Sequence, residues 1–227
     1  MRKTRSIEKR IVGSSACKKD RQYHVQIQAV QGGKVCGGAL LNTRWLITAS
    51  HCVKVQLGLN NDVSLGTKFF SFLKGNSKNG KPHDIMLIKL NEDMPGKIPV
   101  ISLPSQDCKR PELKSKVEIG GMGSKKAGNK LESSVRCAST EISACGENDK
   151  PDSKYQSDES TTMCAHKPGV EACHVSKGDA GSAVEYDGLL YGIIVSDPVD
   201  KCADPIVMMD ICYYKQWIED TMKKESA

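Results

Sequence analysis

The chain has 227 residues, 38% hydrophobic and 26% charged, the composition of a soluble globular protein with room for a substantial core. Its formal net charge of +6 is uneven: the first ten residues, MRKTRSIEKR, hold five Lys or Arg and one Glu, a net +4, so the rest of the chain carries only +2. That distribution argues against a polyanion-binding surface, and so against nucleic acid as a partner; a removable basic leader is the better reading.

Taken in chain order, short apolar runs alternate with Gly, Asn, Asp, Ser and Pro clusters. HVQIQAV (24–30), ALL (39–41), WLIT (45–48), KFFSFL (68–73) and IMLIKL (85–90) read as strands. So do SAVEY (182–186), LLYGIIVS (189–196) and IVMMDI (206–211). Only YYKQWIEDTMKK (213–224) has a helical pattern, with Trp217, Ile218 and Met222 on one side and lysines at its end. Many short strands without alternating helices mean an all-β antiparallel barrel or sandwich, in two halves joined near SLPSQD (102–107). The polar stretch 146–161 and the lysine-rich stretches 109–116 and 125–130 read as solvated surface.

Ten cysteines, an even number spread along the chain, point to an oxidised extracellular protein. There is no C-x-x-C pair and no H-E-x-x-H, so no metal site is expected. No apolar run reaches membrane-spanning length, and no membrane partner is expected. The leader has no hydrophobic core, so the signal of a secreted protein is expected to be absent from this sequence.

Four segments, in order, carry the functional reading: RIVGS (10–14), ITASHC (47–52), HDIMLIKL (83–90) and GDAGSAV (178–184). Together they closely resemble the trypsin/chymotrypsin-like serine peptidases, from Ile11 to the C-terminal helix. The resemblance implies two antiparallel six-stranded β-barrels with a C-terminal α-helix. After a leader or activation peptide at 1–10, the N-terminal barrel would span about 11–105, the C-terminal barrel about 106–212 and the helix about 213–224. By family position the disulfides would be Cys17–Cys137, Cys36–Cys52, Cys108–Cys212, Cys145–Cys164 and Cys173–Cys202.

The implied chemistry needs these residue types. A serine hydroxyl is a poor nucleophile until a base removes its proton, and His51 suits that work because free imidazole changes charge near neutrality. Asp84 would fix the tautomer of His51 and stabilise its imidazolium. The N–H groups of Gly178 and residue 180 would form the oxyanion hole. After cleavage at Arg10, the new ammonium of Ile11 would pair with Asp179 and order the pocket. No cofactor is implied. Partners would be protein or peptide substrates, protein protease inhibitors, and an activating protease unless the chain cuts itself. A secreted monomer is expected, with a secretory granule as one route.

Three departures from the family pattern stand out. Position 180, where the nucleophile belongs, is alanine, which gives His51 nothing to activate. Five residues separate Cys173 from Asp179 where relatives usually have two, so the specificity residue is Glu171 when counted from Cys173 and His174 when counted from position 180. Glu171 is preferred, and an acidic pocket floor favours Arg or Lys in the substrate. The substrate-pairing strand continues Ser196, Asp197, Pro198, and a proline has no N–H to offer an extended substrate. Two readings of Ala180 stay open. The chain is the precursor of a secreted, trypsin-like endopeptidase inactivated by alanine in place of serine, or it is a naturally non-catalytic pseudoprotease that binds or signals.

Overall fold

The structure is a computed structural model. It describes residues 15–17, 20–28, 35–52, 69–72, 81–90, 92–94, 97–122, 135–147, 155, 158–166, 179–195 and 205–224. Five strands form one antiparallel sheet: β2 (His24–Gln28), β3 (Val35–Leu40), β4 (Trp45–Thr48), β5 (Phe69–Phe72) and β6 (Met86–Leu90), in the order β2-β3-β4-β6-β5. The second sheet contains β1 (Ser15–Ala16), β7 (Lys116–Gly121), β8 (Arg136–Ser143), β9 (Thr162–Ala165), β10 (Ala183–Tyr186), β11 (Leu189–Ile194) and β12 (Ile206–Asp210). Its order is β1-β8-β7-β10-β11-β12-β9, and β9 pairs again with β8, so six of its strands close into a barrel. β1, earliest in sequence, joins this barrel at the edge of β8 rather than the five-stranded sheet. A helix, α1 (Ile211–Lys224), follows β12. The all-β, two-sheet architecture with a C-terminal helix matches the sequence expectation.

Local chemistry explains the connections. Asn42 turns the chain from β3 into β4, its Oδ1 accepting the N–H groups of Arg44 and Trp45 at 2.8 Å each. Asp187 and Gly188, both at positive φ (50° and 74°), form the primed two-residue turn between β10 and β11, the twist a right-handed hairpin needs. Asp210 caps α1 by accepting the N–H of Cys212 at 2.9 Å, and Arg110 pairs with the same carboxylate at 2.8 Å. The cap starts the helix at Ile211, two residues before the apolar periodicity begins.

The core explains why β12 reads as an unbroken apolar run. Ile206 and Met208 point into the closed barrel beside Val117, Ile119, Ala138, Ile142 and Val184. Val207 and Met209 face the other way, into the layer with Ile27, Leu40, Leu46, Leu87, Ile88 and the helix residues Ile211, Tyr214 and Ile218. Both faces of the strand are covered, so no position is left for water. Cys52, Ile85 and Ala180 belong to this same layer. Four of the expected disulfides are present, Cys17–Cys137, Cys36–Cys52, Cys108–Cys212 and Cys145–Cys164, with Cα separations of 5.1, 5.8, 5.8 and 5.2 Å. Cys173–Cys202 lies outside the described residues.

Candidate active site

His51 sits in a 3-10 turn, Ser50–Cys52, directly after β4, and Asp84 lies just before β6. β4 and β6 are paired with Thr48 opposite Met86, so the end of one strand meets the start of the other. Asp84 Oδ2 lies 2.7 Å from His51 Nδ1, and Asp84 Oδ1 accepts the backbone N–H of His51 at 2.9 Å. The Ser50 hydroxyl donates to the carbonyl of Ile85 at 2.8 Å and ties the same turn to the same strand. A carboxylate only accepts, so neutral His51 carries its proton on Nδ1 and presents the lone pair on Nε2. The Asp84 side chain is 1% exposed and that of His51 17%, a buried carboxylate behind an imidazole that solvent can reach.

Residues 179–182 are held from both sheets. The N–H of Gly37 donates to the carbonyl of Ala180 at 2.8 Å, and the N–H of Gly181 donates to Ile194 at 2.7 Å. The Thr48 hydroxyl donates to the carbonyl of Gly37 at 2.7 Å. Gly181 is at φ +85°, and a Cβ there would strike the Gly37 carbonyl and the Thr48 hydroxyl. Cys52 Sγ comes within 3.6 Å of the Ala180 carbonyl oxygen, so the turn bearing His51 abuts position 180. Ala180 is 3% exposed and offers only a methyl group. Ser182 is no displaced nucleophile: it is fully buried, with its Oγ pressed against Gly37 and no hydrogen-bond partner.

The buried carboxylate of Asp179 packs against Gly121 at the end of β7, so tightly that a Cβ on Gly121 would overlap it. Arg10, Ile11, Glu171, His174, Gly178, Ser196, Asp197 and Pro198 lie outside the described residues. Among the described residues the grouping of metal-ligating types is Cys36, His51 and Cys52, with ligand atoms within 4.8 Å of one another. Its two sulfurs are bonded to each other, so neither has a thiolate to offer a cation.

Two polar clusters near the site were not singled out from the sequence. In the first, Arg21 donates to the carbonyls of Ala183 (2.9 Å) and Glu118 (2.6 Å) and lies 3.7 Å from the Glu185 carboxylate, which also accepts the Tyr23 hydroxyl. Burial pushes the Tyr23 phenol well above its ordinary range. Beside it His24, against Gly37, is pushed down to about 4 by burial, with the Arg21 charge adding to the effect. The second cluster joins His83 to Tyr214 and Tyr213. His83 stands within the HDIMLIKL motif, and its adjacency to Asp84 was the one available clue.

Comparison with known proteins fits this geometry. The trypsin family profile matches residues 10–218. Human kallikrein-2 is 31% identical, with 95% of this chain and 91% of that protein covered, and rat cationic trypsin-3 is 30% identical with 94% and 90% covered. The solved structure of human heparin binding protein superposes with a TM-score of 0.69 at 17% identity, over 93% of this chain and 96% of that one, a likeness of fold. With the family matched along nearly its whole length and close to a third of its residues shared with a kallikrein and a trypsin, the chain belongs to the trypsin/chymotrypsin-like serine peptidases.

Proposed function

We propose that this chain is the precursor form of a secreted trypsin-like endopeptidase whose acid–base machinery is intact and whose nucleophile is absent. The observation that carries this reading is the fork from Asp84 to His51, 2.7 Å to Nδ1 and 2.9 Å to the backbone N–H, beside an alanine at position 180. With serine there, His51 Nε2 takes the hydroxyl proton as Oγ bonds to the substrate carbonyl carbon. The oxyanion is then held by the N–H groups of Gly178 and residue 180. The proton passes to the leaving nitrogen as the C–N bond breaks, and water, deprotonated by His51, releases the acyl group. Alanine has no oxygen to form the first bond, and losing the nucleophile costs about a millionfold in kcat in a comparable triad.

Glu171 is the proposed floor of the specificity pocket, favouring Arg or Lys in protein and peptide substrates. Residues 1–10 are the proposed activation peptide, and cleavage after Arg10 frees Ile11 to pair with Asp179. The disulfides suit an oxidising extracellular compartment.

The test is Ala180→Ser followed by cleavage after Arg10. The processed variant is expected to hydrolyse peptides after basic residues and to react with a serine-directed phosphonate, while the chain as written does neither. Absence of both activities in the variant would favour a second reading. In that reading the chain is a natural non-catalytic member that binds proteins, including protease inhibitors, through the same cleft. Pro198 in the substrate-pairing strand and the long spacing from Cys173 to Asp179 favour it.

A further inference from the structure

Asp84 can orient His51 only as well as its own backbone is held. The residue before it, His83, is buried, and its Nδ1 lies 2.5 Å from the Tyr214 hydroxyl. The His83 ring meets Tyr214 edge-on, with centroids 5.4 Å apart, and stacks beside Tyr213 at 6.5 Å. Both tyrosines stand in the first turn of α1, the best-anchored turn of the helix. Asp210 caps it, Arg110 pairs with Asp210, and the Cys108–Cys212 disulfide ties it down.

Burial keeps both partners of the bond uncharged. Burial holds the Tyr214 phenol above its ordinary range and His83 below its own, with the negative charge of Asp158 opposing the shift on the imidazole. At neutral pH both rings are therefore uncharged and share one hydrogen bond, whose donor is set by the His83 tautomer. The Tyr214 oxygen also meets the Thr161 side chain, so its hydrogen-bonding capacity is used on both sides.

The bond spans the two halves of the site. His83 and Asp84 lead into β6 of the five-stranded sheet, whereas Tyr214 follows β12 of the closed barrel, which also carries the loop at 179–182. We propose that His83 and Tyr214 form a positioning pair, whose hydrogen bond fixes the backbone carrying Asp84 so that both carboxylate oxygens stay on His51 and the base stays aligned with position 180. This rests on the peptidase reading for its purpose, but the positioning itself can be read in the chain as it stands, without a nucleophile.

The experiment is proton NMR of the Ala180 protein, following the downfield Nδ1–H of His51 and the His51 titration, with melting temperatures measured alongside. Tyr214→Phe keeps the ring and removes the hydroxyl. His83→Leu removes the ring nitrogen, and His83→Asn restores a polar partner, because the Asn amide Oδ1 and Nδ2 are as many bonds from the backbone as His Nδ1. Tyr214→Phe and His83→Leu are expected to broaden the downfield proton. Both should also lower the His51 titration midpoint by about half a pH unit or more, because a loosened carboxylate stabilises the imidazolium less. His83→Asn is expected to retain both signals. In the activated Ala180→Ser protein, Tyr214→Phe is expected to lower kcat about tenfold with KM within about twofold, as for an interaction felt at the transition state.

Unchanged His51 signals in Tyr214→Phe and His83→Leu, with only the melting temperature lowered, would overturn the proposal and leave a packing contact. If the His51 signals shift but Ala180→Ser shows no hydrolysis, the positioning pair stands and the peptidase reading fails. If hydrolysis is restored and Tyr214→Phe alters neither kcat nor the His51 titration, the pair alone fails.

Discussion

Gly37 in β3 donates its N–H to the carbonyl of Ala180 over 2.8 Å, so the five-stranded sheet holds position 180 of the barrel opposite it by main-chain bonding. The approach requires glycine on both sides. A Cβ on Gly37 would strike the Ser182 side chain and crowd His24, and one on Gly181 would strike Gly37 and Thr48. Gly37→Ala is expected to cost about 1–3 kcal/mol by overpacking. Gly181→Ala, which adds a positive-φ penalty, should cost about 3 kcal/mol or more. Ser182→Ala removes an oxygen with no partner and is expected to be close to neutral, and to relieve part of the Gly37→Ala cost. Urea titrations of the single and double variants measure this; strictly additive costs would show that Gly37 and Ser182 do not press on each other.

Acid should weaken the fold through His24. Its folded pKa is lowered to about 4 from an ordinary 6.5. Above pH 6.5 the imidazole is neutral whether folded or unfolded, and the stabilisation is complete. As pH falls from 6.5 towards 4, the unfolded chain takes up a proton that the folded one refuses, so stability is lost across that window and levels off below it. The loss is on the order of 2 kcal/mol for a half-buried group. His24→Gln should flatten this part of the stability–pH curve, and an equally steep curve in the variant would assign the acid lability elsewhere.

Arg21 is buried with two carbonyls and a carboxylate as partners. Arg21→Ala leaves the Glu185 charge and two acceptors without it, and should cost about 3 kcal/mol or more. Arg21→Lys keeps the charge but cannot reach two carbonyls at once with a planar fork, so it should recover only part of that. Denaturant midpoints rank the three proteins; equal midpoints for lysine and arginine would mean that charge alone matters.

Asp179 and Gly121 offer a test of the proposed activation. In protein cleaved after Arg10, Asp179→Asn removes the charge, and Gly121→Ala displaces the carboxylate that packs on that glycine. Each is expected to weaken a basic amidine inhibitor about tenfold or more, towards the affinity of uncut protein. In the cleaved parent the affinity should fall as pH rises through the folded pKa of the Ile11 ammonium, whose ordinary range is about 7.7–8.0. Calorimetric titration of cut and uncut forms decides it, and equal affinities would remove any role for the pair.

The strands with strong β-branched or aromatic runs were legible from sequence: WLIT is β4 residue for residue, and IMLIKL contains β6. The strands β7, β8 and β9 were not. KVEIGG alternates over only four residues before two glycines and begins inside a lysine-rich stretch, RCASTEIS is mostly small or polar, and TMCA is four residues buried at every position, so none gives a sustained strand signal. Barrel closure makes them strands, because neighbours on both edges satisfy a backbone that local propensity leaves undecided.

The same division holds at the site. Short motifs singled out His51, Asp84, Asp179 and position 180 as candidates, because the proposed chemistry restricts the residue type at each; that position 180 is alanine is likewise read from sequence alone. Sequence could not reveal that Ser182 turns away into Gly37, that Arg21 is buried under Glu185, or that His83 meets Tyr214 across 131 positions. Those relations arise where two sheets and a helix end pack together. Long-range packing sets the distance between groups that no local pattern connects, and the pairing of Thr48 with Met86 is what brings a histidine and an aspartate 33 residues apart to 2.7 Å.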